Sequence, residues 1–367
     1  MRLAGAAIVA LFGVFVSPSA HACTYLSATV IGEDGEQTGE IRQPPPLPAP
    51  AARVKAALPK GIQGEAIVAL PDGSHAVSSR DPCLENRWPW ASITKQVVAM
   101  IVMQEVERGT LSLDAPLSQY LDLPRQPGST PPTLRQLLQH RSGLRNPEDT
   151  PVDAAGIPEF YTTGPSGPEW CLSEREPAPA DGWRYNNCDY IVMGRVLEAA
   201  TDMPIADLIR QRLAEVDIHR TTLAMRKPRN GVGLARDFPL DISRYGASGA
   251  LLGPLSEMVA FDRALLDGKL ISQESLETMW AGDPQLGYMA LGQWAYEVPL
   301  EGCAKPVRIV ERRGDILAYE LRNFILPESG TALAVAVKDD EIEFGELWQG
   351  RGLSFDLLSA LACGDNA

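Results

Sequence analysis

Ser92 and Lys95, three positions apart in Trp90-Ala91-Ser92-Ile93-Thr94-Lys95, are the residues of this chain whose types and spacing most directly suggest chemistry. The apolar run Gln96-Val97-Val98-Ala99-Met100-Ile101-Val102-Met103 follows at once. Val98, Ile101, Val102 and Glu105 recur at helical spacing, which predicts a helix whose first turn carries both residues on one side. A serine at a helix N-terminus lies near N–H groups that have no intrahelical partner, so it can attack a carbonyl while those donors hold the developing oxyanion. A desolvated lysine one turn later loses its proton more easily and can accept the one from serine. The same pattern also describes an ordinary N-cap serine, so the reading needs partners from elsewhere in the chain.

Two stretches offer them. In Trp183-Arg184-Tyr185-Asn186-Asn187-Cys188, just before an amphipathic run, Tyr185 near a lysine would shed its proton more readily and serve as general base, and Asn187 could bond both Lys95 and a substrate amide. The competing reading is that Tyr185 and Asn187 merely cap the following helix. In Glu311-Arg312-Arg313-Gly314-Asp315, Gly314 would let a ligand lie against a strand, and Arg312 or Arg313 could hold a carboxylate through its fork of donors. A charged edge strand with a turn glycine is the plainer alternative.

The elements that must position these groups fall at both ends of the chain. Ala66 to Leu70 and Ala76 to Ser79, around Pro71-Asp72-Gly73-Ser74, read as a hairpin just before the Ser92 helix. Gly292 to Val298, Val307 to Arg312, Leu317 to Phe324 and Ala332 to Lys338 read as strands, followed by an apolar helix from Leu347 to Ala362. Between them, short helices alternate with loops, among them one opened by a Thr133 N-cap and a long proline-rich loop over 145–182. The expected fold class is α/β in the α+β sense: an antiparallel sheet assembled from both termini and flanked by helices, with an all-helical region inserted at about 108–282.

Met1 to Ala22 has the charge, apolar core and Ala20-His21-Ala22 site of a cleaved secretory signal, and its core is too short to span a bilayer. Residues 23–55 are expected to form an extended Pro-rich segment, and 56–365 one folded domain. A periplasmic or secreted location follows; a lipid anchor at Cys23 is the less favoured alternative, because His21 stands where a small residue is usual. All six cysteines follow the cleavage site, which suggests disulfides, with Cys171–Cys188, Cys303–Cys363 and Cys23–Cys83 the expected pairs. With no C-x-x-C and four scattered histidines, no structural zinc is expected. A net charge of −14 argues against nucleic acid or an anionic membrane as partner and leaves a small molecule or cell-wall peptide.

Taken in order, these stretches resemble the serine β-lactamase and penicillin-binding-protein superfamily, in the branch of class C β-lactamases, family VIII esterases and D-amino-acid-releasing peptidases. Ser92-Ile93-Thr94-Lys95 matches S-x-x-K, and Tyr185-Asn186-Asn187 matches Y-x-N. Leu111 to Leu121, Thr133 to Leu144 and Ala247-Ser248-Gly249-Ala250-Leu251 match supporting stretches, so the similarity runs over roughly residues 60 to 362. It implies a serine β-lactamase-like fold with its site in the groove between sheet and helical region. Ser92 would be the acylated nucleophile, Lys95 its proton partner, Tyr185 the general base and Asn187 a substrate-orienting group. Backbone N–H groups of Ser92 and Asp315 would form the oxyanion hole, and no cofactor is implied.

The third motif departs from the family. Arg312-Arg313-Gly314 stands where K-T-G or H-x-G is usual, and arginine keeps the charge but cannot relay a proton. Asp315 puts an acid beside the oxyanion hole unless it pairs with Arg312 or Arg313. Ester or peptide hydrolysis is therefore at least as well supported as β-lactam hydrolysis. A penicillin-binding-like protein that captures cell-wall peptides in the same groove is the alternative from another class.

Overall fold

Strands β1 (Gly64–Leu70) and β2 (Gly73–Ser78) form the expected hairpin, and β1 pairs on its other edge with a strand from the far end of the chain. In this computed structural model, which describes residues 46–78, 87–225, 240–338 and 342–364, nine strands are seen. The others are β3 (Trp88–Pro89), β4 (Thr222–Leu223), β5 (Leu251–Gly253), β6 (Trp294–Val298), β7 (Val307–Ile316), β8 (Tyr319–Leu326) and β9 (Thr331–Lys338). The main sheet is antiparallel with order β2-β1-β9-β8-β7-β6. The expected signal segment, Cys23 and Cys83 lie outside the described residues.

Helices cover both faces of the sheet, which explains why β1 and β9 read as continuous apolar runs rather than as alternating ones. Ala66, Val68, Leu333, Val335 and Val337 point into one core, shared with α1 (Ala49–Ala57) and α9 (Leu353–Ala362). Ile67, Ala69, Ala332, Ala334 and Ala336 point into the other, shared with α2 (Thr94–Glu107), α5 (Asn187–Thr201) and α7 (Leu255–Leu266). Helices α3 (Leu134–Leu138), α4 (Pro168–Leu172), α6 (Ile205–Ala214) and α8 (Gln273–Met279) complete the helical region. As expected, Thr133 caps α3, in a capping box with Gln136.

Three local expectations are corrected. The stretch 49–55, read as extended, belongs to α1: proline sits in its first turn, where no N–H is needed, and five of its nine residues are alanine. Arg53 Nε then ties α1 to the Ala360 carbonyl at 2.9 Å. The helix expected over Leu347 to Ala362 is a 3-10 turn, Leu347–Gln349, and then α9, broken where Gly350 and Gly352 take φ of 64° and 96°. Within the helical region β4 and β5 pair, and β5 also pairs with β3, in a small second sheet. Two of the expected disulfides form, Cys171–Cys188 and Cys303–Cys363, with Cα–Cα distances of 5.3 and 5.0 Å.

Candidate active site

Trp90 leads into the site under tight control. Its backbone N–H donates to the Leu251 carbonyl at 2.9 Å, and its carbonyl lies 2.5 Å from the place a Cβ on Gly314 would occupy. Gly314 thus admits the close approach of a turn of this chain. Ala91 follows with φ of 45°, a left-handed conformation that costs an L-residue about 1 kcal/mol. Ser92 sits in the 3-10 turn Ala91–Ile93, and α2 begins at Thr94. On the opposite side of Lys95, Gly292 at φ of 87° leaves no room for a side chain, since a Cβ would lie 2.8 Å from the Lys95 carbonyl.

Four of the predicted groups, Ser92, Lys95, Tyr185 and Asn187, form one cluster. Ser92 Oγ lies 2.5 Å from the Tyr185 hydroxyl and 3.0 Å from Lys95 Nζ, which is itself 2.8 Å from the Tyr185 hydroxyl. Lys95 is fully buried and also donates to Asn187 Oδ1 at 2.8 Å and to the Ser248 carbonyl at 2.7 Å. Those two oxygens can only accept. A neutral amine has two N–H groups for them, which leaves its one lone pair to accept from one hydroxyl at a time, that of Ser92 or of Tyr185.

Electrostatics favour that state. Burial pushes the Lys95 pKa well down, and the Arg312 cation lowers it further, against the weaker pull of Asp189 and Glu148. Burial also raises the Tyr185 phenol, outweighing Arg312 and the hydrogen bond with Ser92. The expectation that Lys95 would favour a Tyr185 phenolate is therefore not met: desolvation, which a sequence does not display, is the larger effect. Both shifts run towards the uncharged forms, amine and phenol.

Asn187 opens α5. Asn186 provides the N-cap, accepting from Cys188 N–H at 2.9 Å, and the Cys171–Cys188 disulfide ties the same turn to α4. The Asn187 Nδ2 donates to the Tyr161 hydroxyl at 2.7 Å, so one of its two N–H bonds is already used within the protein. Beneath Tyr185 the imidazole of buried His140 lies 4.7 Å away between centroids, with Nδ1 3.0 Å from Asp189.

The two arginines separate, as neighbours on a strand must. Arg312 faces Ser92, is 1% exposed and donates from Nε to the Ser92 carbonyl at 3.0 Å, while the rest of its guanidinium interacts with the Tyr185 side chain. Its guanidinium stands 5.0 Å over the Trp294 ring and 5.7 Å from that of Tyr185. Arg313 is occupied elsewhere, by Glu311 at 2.9 Å and Glu346 at 2.5 Å. Asp315 pairs with neither arginine. It lies opposite Glu320 in the β7–β8 register, and burial together with that like charge raises its pKa.

Single-residue reading missed Ser248, whose contribution is a carbonyl, and Tyr161 and Glu148, which stand in the long loop without any local motif. Ser248 lay within a stretch matched to the family and so had a signal. The other two had none.

The chain matches the family model described as Beta-lactamase over residues 62–346. It is 27% identical over 207 residues to the putative penicillin-binding protein PbpX of Bacillus subtilis, covering 52% of this chain and 49% of that one. It is 32% identical over 142 residues to esterase EstB of Burkholderia gladioli, covering 34% and 35%. The chain thus spans about half the length of these relatives, or less. Among solved structures it resembles a D-stereospecific amidohydrolase from Streptomyces, with TM-score 0.66, 21% identity and coverage of 86% and 98%. It also resembles the D-amino acid amidase of Ochrobactrum anthropi in complex with L-phenylalanine, with TM-score 0.68, 20% identity and coverage of 85% and 98%.

Proposed function

This chain belongs to the beta-lactamase family, and on that premise we propose that it is an exported serine hydrolase that cleaves an ester or amide through an acyl-enzyme at Ser92. The observation that carries the reading is Lys95 Nζ, whose two acceptor-only partners leave its lone pair facing Ser92 Oγ and the Tyr185 hydroxyl. The Ser92 proton passes to Lys95, directly or with Tyr185 handing on its own, as the bond from Oγ to the carbonyl carbon forms. Backbone N–H groups of Ser92 and Asp315 receive the oxyanion. The same proton then returns through Tyr185 to the leaving oxygen or nitrogen as its bond breaks, and water repeats the sequence on the acyl-enzyme.

Arg312 supplies fixed positive charge beside this exchange without taking part in it, since it does not lose its proton. A substrate carboxylate would bind its guanidinium by displacing the contact with Tyr185. Arg313, held by two glutamates, is not assigned that role. The similarity to an esterase and to amidases supports ester and amide substrates. The two disulfides suit an oxidising compartment, and among the described residues no helix is long and apolar enough to cross a membrane.

The second reading, a weakly catalytic protein that captures cell-wall peptides, is favoured by one feature, the Asp315 carboxyl opposite Glu320, whose like charge outweighs the Arg322 cation. Intact mass after exposure to a fluorophosphonate separates the two. One adduct on wild type, missing from Ser92→Ala, is expected; no adduct on a folded wild-type protein would leave the capture reading in its place.

A further inference from the structure

The mechanism leaves unused the ionisable pair that lies directly beneath it, His140 and Asp189, whose side chains have no solvent exposure. Asp189 stands in the same first turn of α5 as Asn187, and His140 follows α3 with a φ of 57°. A histidine in the left-handed region is a held conformation, and Arg184 N–H holds its other end by donating to the His140 carbonyl at 3.0 Å. The imidazole supports the Tyr185 ring, with Tyr190 and Trp183 beside it at 5.4 and 6.2 Å between centroids.

The donors around the pair fix where its protons are. Ser142 Oγ accepts from Leu144 N–H at 2.9 Å and donates to Asp189 Oδ1, while Asn186 N–H donates to His140 Nδ1 at 3.3 Å. Nδ1 therefore offers a lone pair, and Asp189 Oδ2, 3.0 Å from the same nitrogen, meets it by bringing the hydrogen itself. The other arrangements fail on this count. With the hydrogen on Nδ1, two N–H groups face each other and Asn186 N–H loses its acceptor. With an imidazolium, a charged Nε2–H is buried with no partner among the described residues. Burial acts in the same direction on both groups, raising the carboxyl and lowering the imidazole.

Charge here matters because of what faces the pair: Lys95 from α2, Arg312 from β7, Tyr190 from α5, Tyr185 from the turn before it and Glu148 from the long loop. An ionised Asp189 pulls Lys95 towards the ammonium, which cannot accept the Ser92 proton. A neutral acid makes its hydrogen bonds without that pull.

We infer that Asp189 is a positioning residue that works as an uncharged carboxylic acid, its O–H bonded to His140 Nδ1, so that the pair fixes the ring under Tyr185 without placing an anion beside Lys95. The kinetic consequence rests on the acyl-enzyme reading of the same site; the place of the proton does not.

Infrared spectra at pH 7 should therefore show a protonated-carboxyl C=O band that Asp189→Asn removes. Asparagine reproduces the neutral acid, donating from Nδ2 to His140 and accepting from Ser142 on Oδ1, whereas alanine does neither. On one ester substrate Asp189→Ala should lose about 10- to 100-fold in kcat with little change in KM, and Asp189→Asn should recover the rate to within about threefold of wild type. The acid limb of the pH–rate profile should hold its place in the asparagine variant. An infrared spectrum that Asp189→Asn leaves unchanged would overturn the inference. So would an acid limb that moves down by about one unit or more in that variant, as the loss of an anion beside Lys95 requires, or an alanine variant as active as the asparagine one. If the alanine variant does not fold, the asparagine variant and its spectrum decide. A folded wild type that takes no fluorophosphonate adduct removes the hydrolase reading instead, and the spectrum still tests the proton.

Discussion

Arg312 Nε is hydrogen-bonded to the carbonyl oxygen of Ser92 at 3.0 Å, so the cation of the third motif grips the backbone of the nucleophile itself. The bond spans the groove between β7 and the start of α2, and it holds a turn already committed to a left-handed Ala91. Replacing Arg312 with alanine removes its bond to the Ser92 carbonyl, which the Thr94 N–H also reaches, and removes the charge beside Tyr185. We expect kcat to fall by roughly 10- to 100-fold, the worth of one charge-assisted bond. Arg312→Lys should recover only part of the loss, because a point charge does not reproduce the planar fork. Steady-state kinetics on one ester substrate checks both.

Turnover should rise with pH through the pKa of Lys95. That group must be neutral to accept the Ser92 proton, and burial with Arg312 holds its pKa well below 10.5, so the rise lies at lower pH than the titration of an ordinary lysine. Lys95→Arg keeps the charge, never deprotonates and should lose activity by about a thousandfold or more. A pH–rate profile showing no acid limb would contradict the assignment.

Tyr185→Phe keeps the ring against His140 and removes only the hydroxyl that touches both Ser92 and Lys95. The expected loss is about 10²- to 10⁴-fold in kcat, the usual worth of a positioned proton-transfer group. Fluorophosphonate labelling should slow in parallel, because the deficit lies in the first proton transfer.

A buried acid away from the site sets part of the pH dependence of stability. Asp262 accepts from Asn323 Nδ2 at 2.8 Å, has an unpaired Oδ2 and, among the described residues, no ion-pair partner, and burial raises its pKa to about 8. The folded protein therefore keeps a proton that the unfolded chain releases near 3.8. Stability from this group is intact below that value and is lost as pH rises towards about 8, by on the order of a few kcal/mol. Asp262→Asn should flatten the decline, so that melting temperatures at pH 5, 7 and 9 diverge in favour of the variant.

The strands and the nucleophile were legible because their signals are local: apolar runs between turn residues, and two reactive residues one helical turn apart. Which way a side chain faces across a strand was not. Arg312 and Arg313 look equivalent in sequence, and only the pairing of β7 with β6 and β8, and the contact of Gly314 with Trp90, turns one towards Ser92 and the other towards Glu346. The protonation of Lys95 and Tyr185 was hidden for a related reason, since it is fixed by desolvation from segments distant in the chain. The first turn of α1 was misread because a proline run suggested extension, although proline is equally at home there.

The antiparallel contact of β1 with β9 has a consequence in time. A chain emerging from the ribosome presents Ser92 and Lys95 early, but the strand carrying Arg312 and Asp315 comes about 220 residues later, and β1 has no neighbour on its β9 edge until later still. An amine meant to be neutral would stand in water and stay protonated in every shorter intermediate. On the proposed mechanism the nascent chain is kept inert by its own topology, and reactivity would begin only when the last strand enters the sheet.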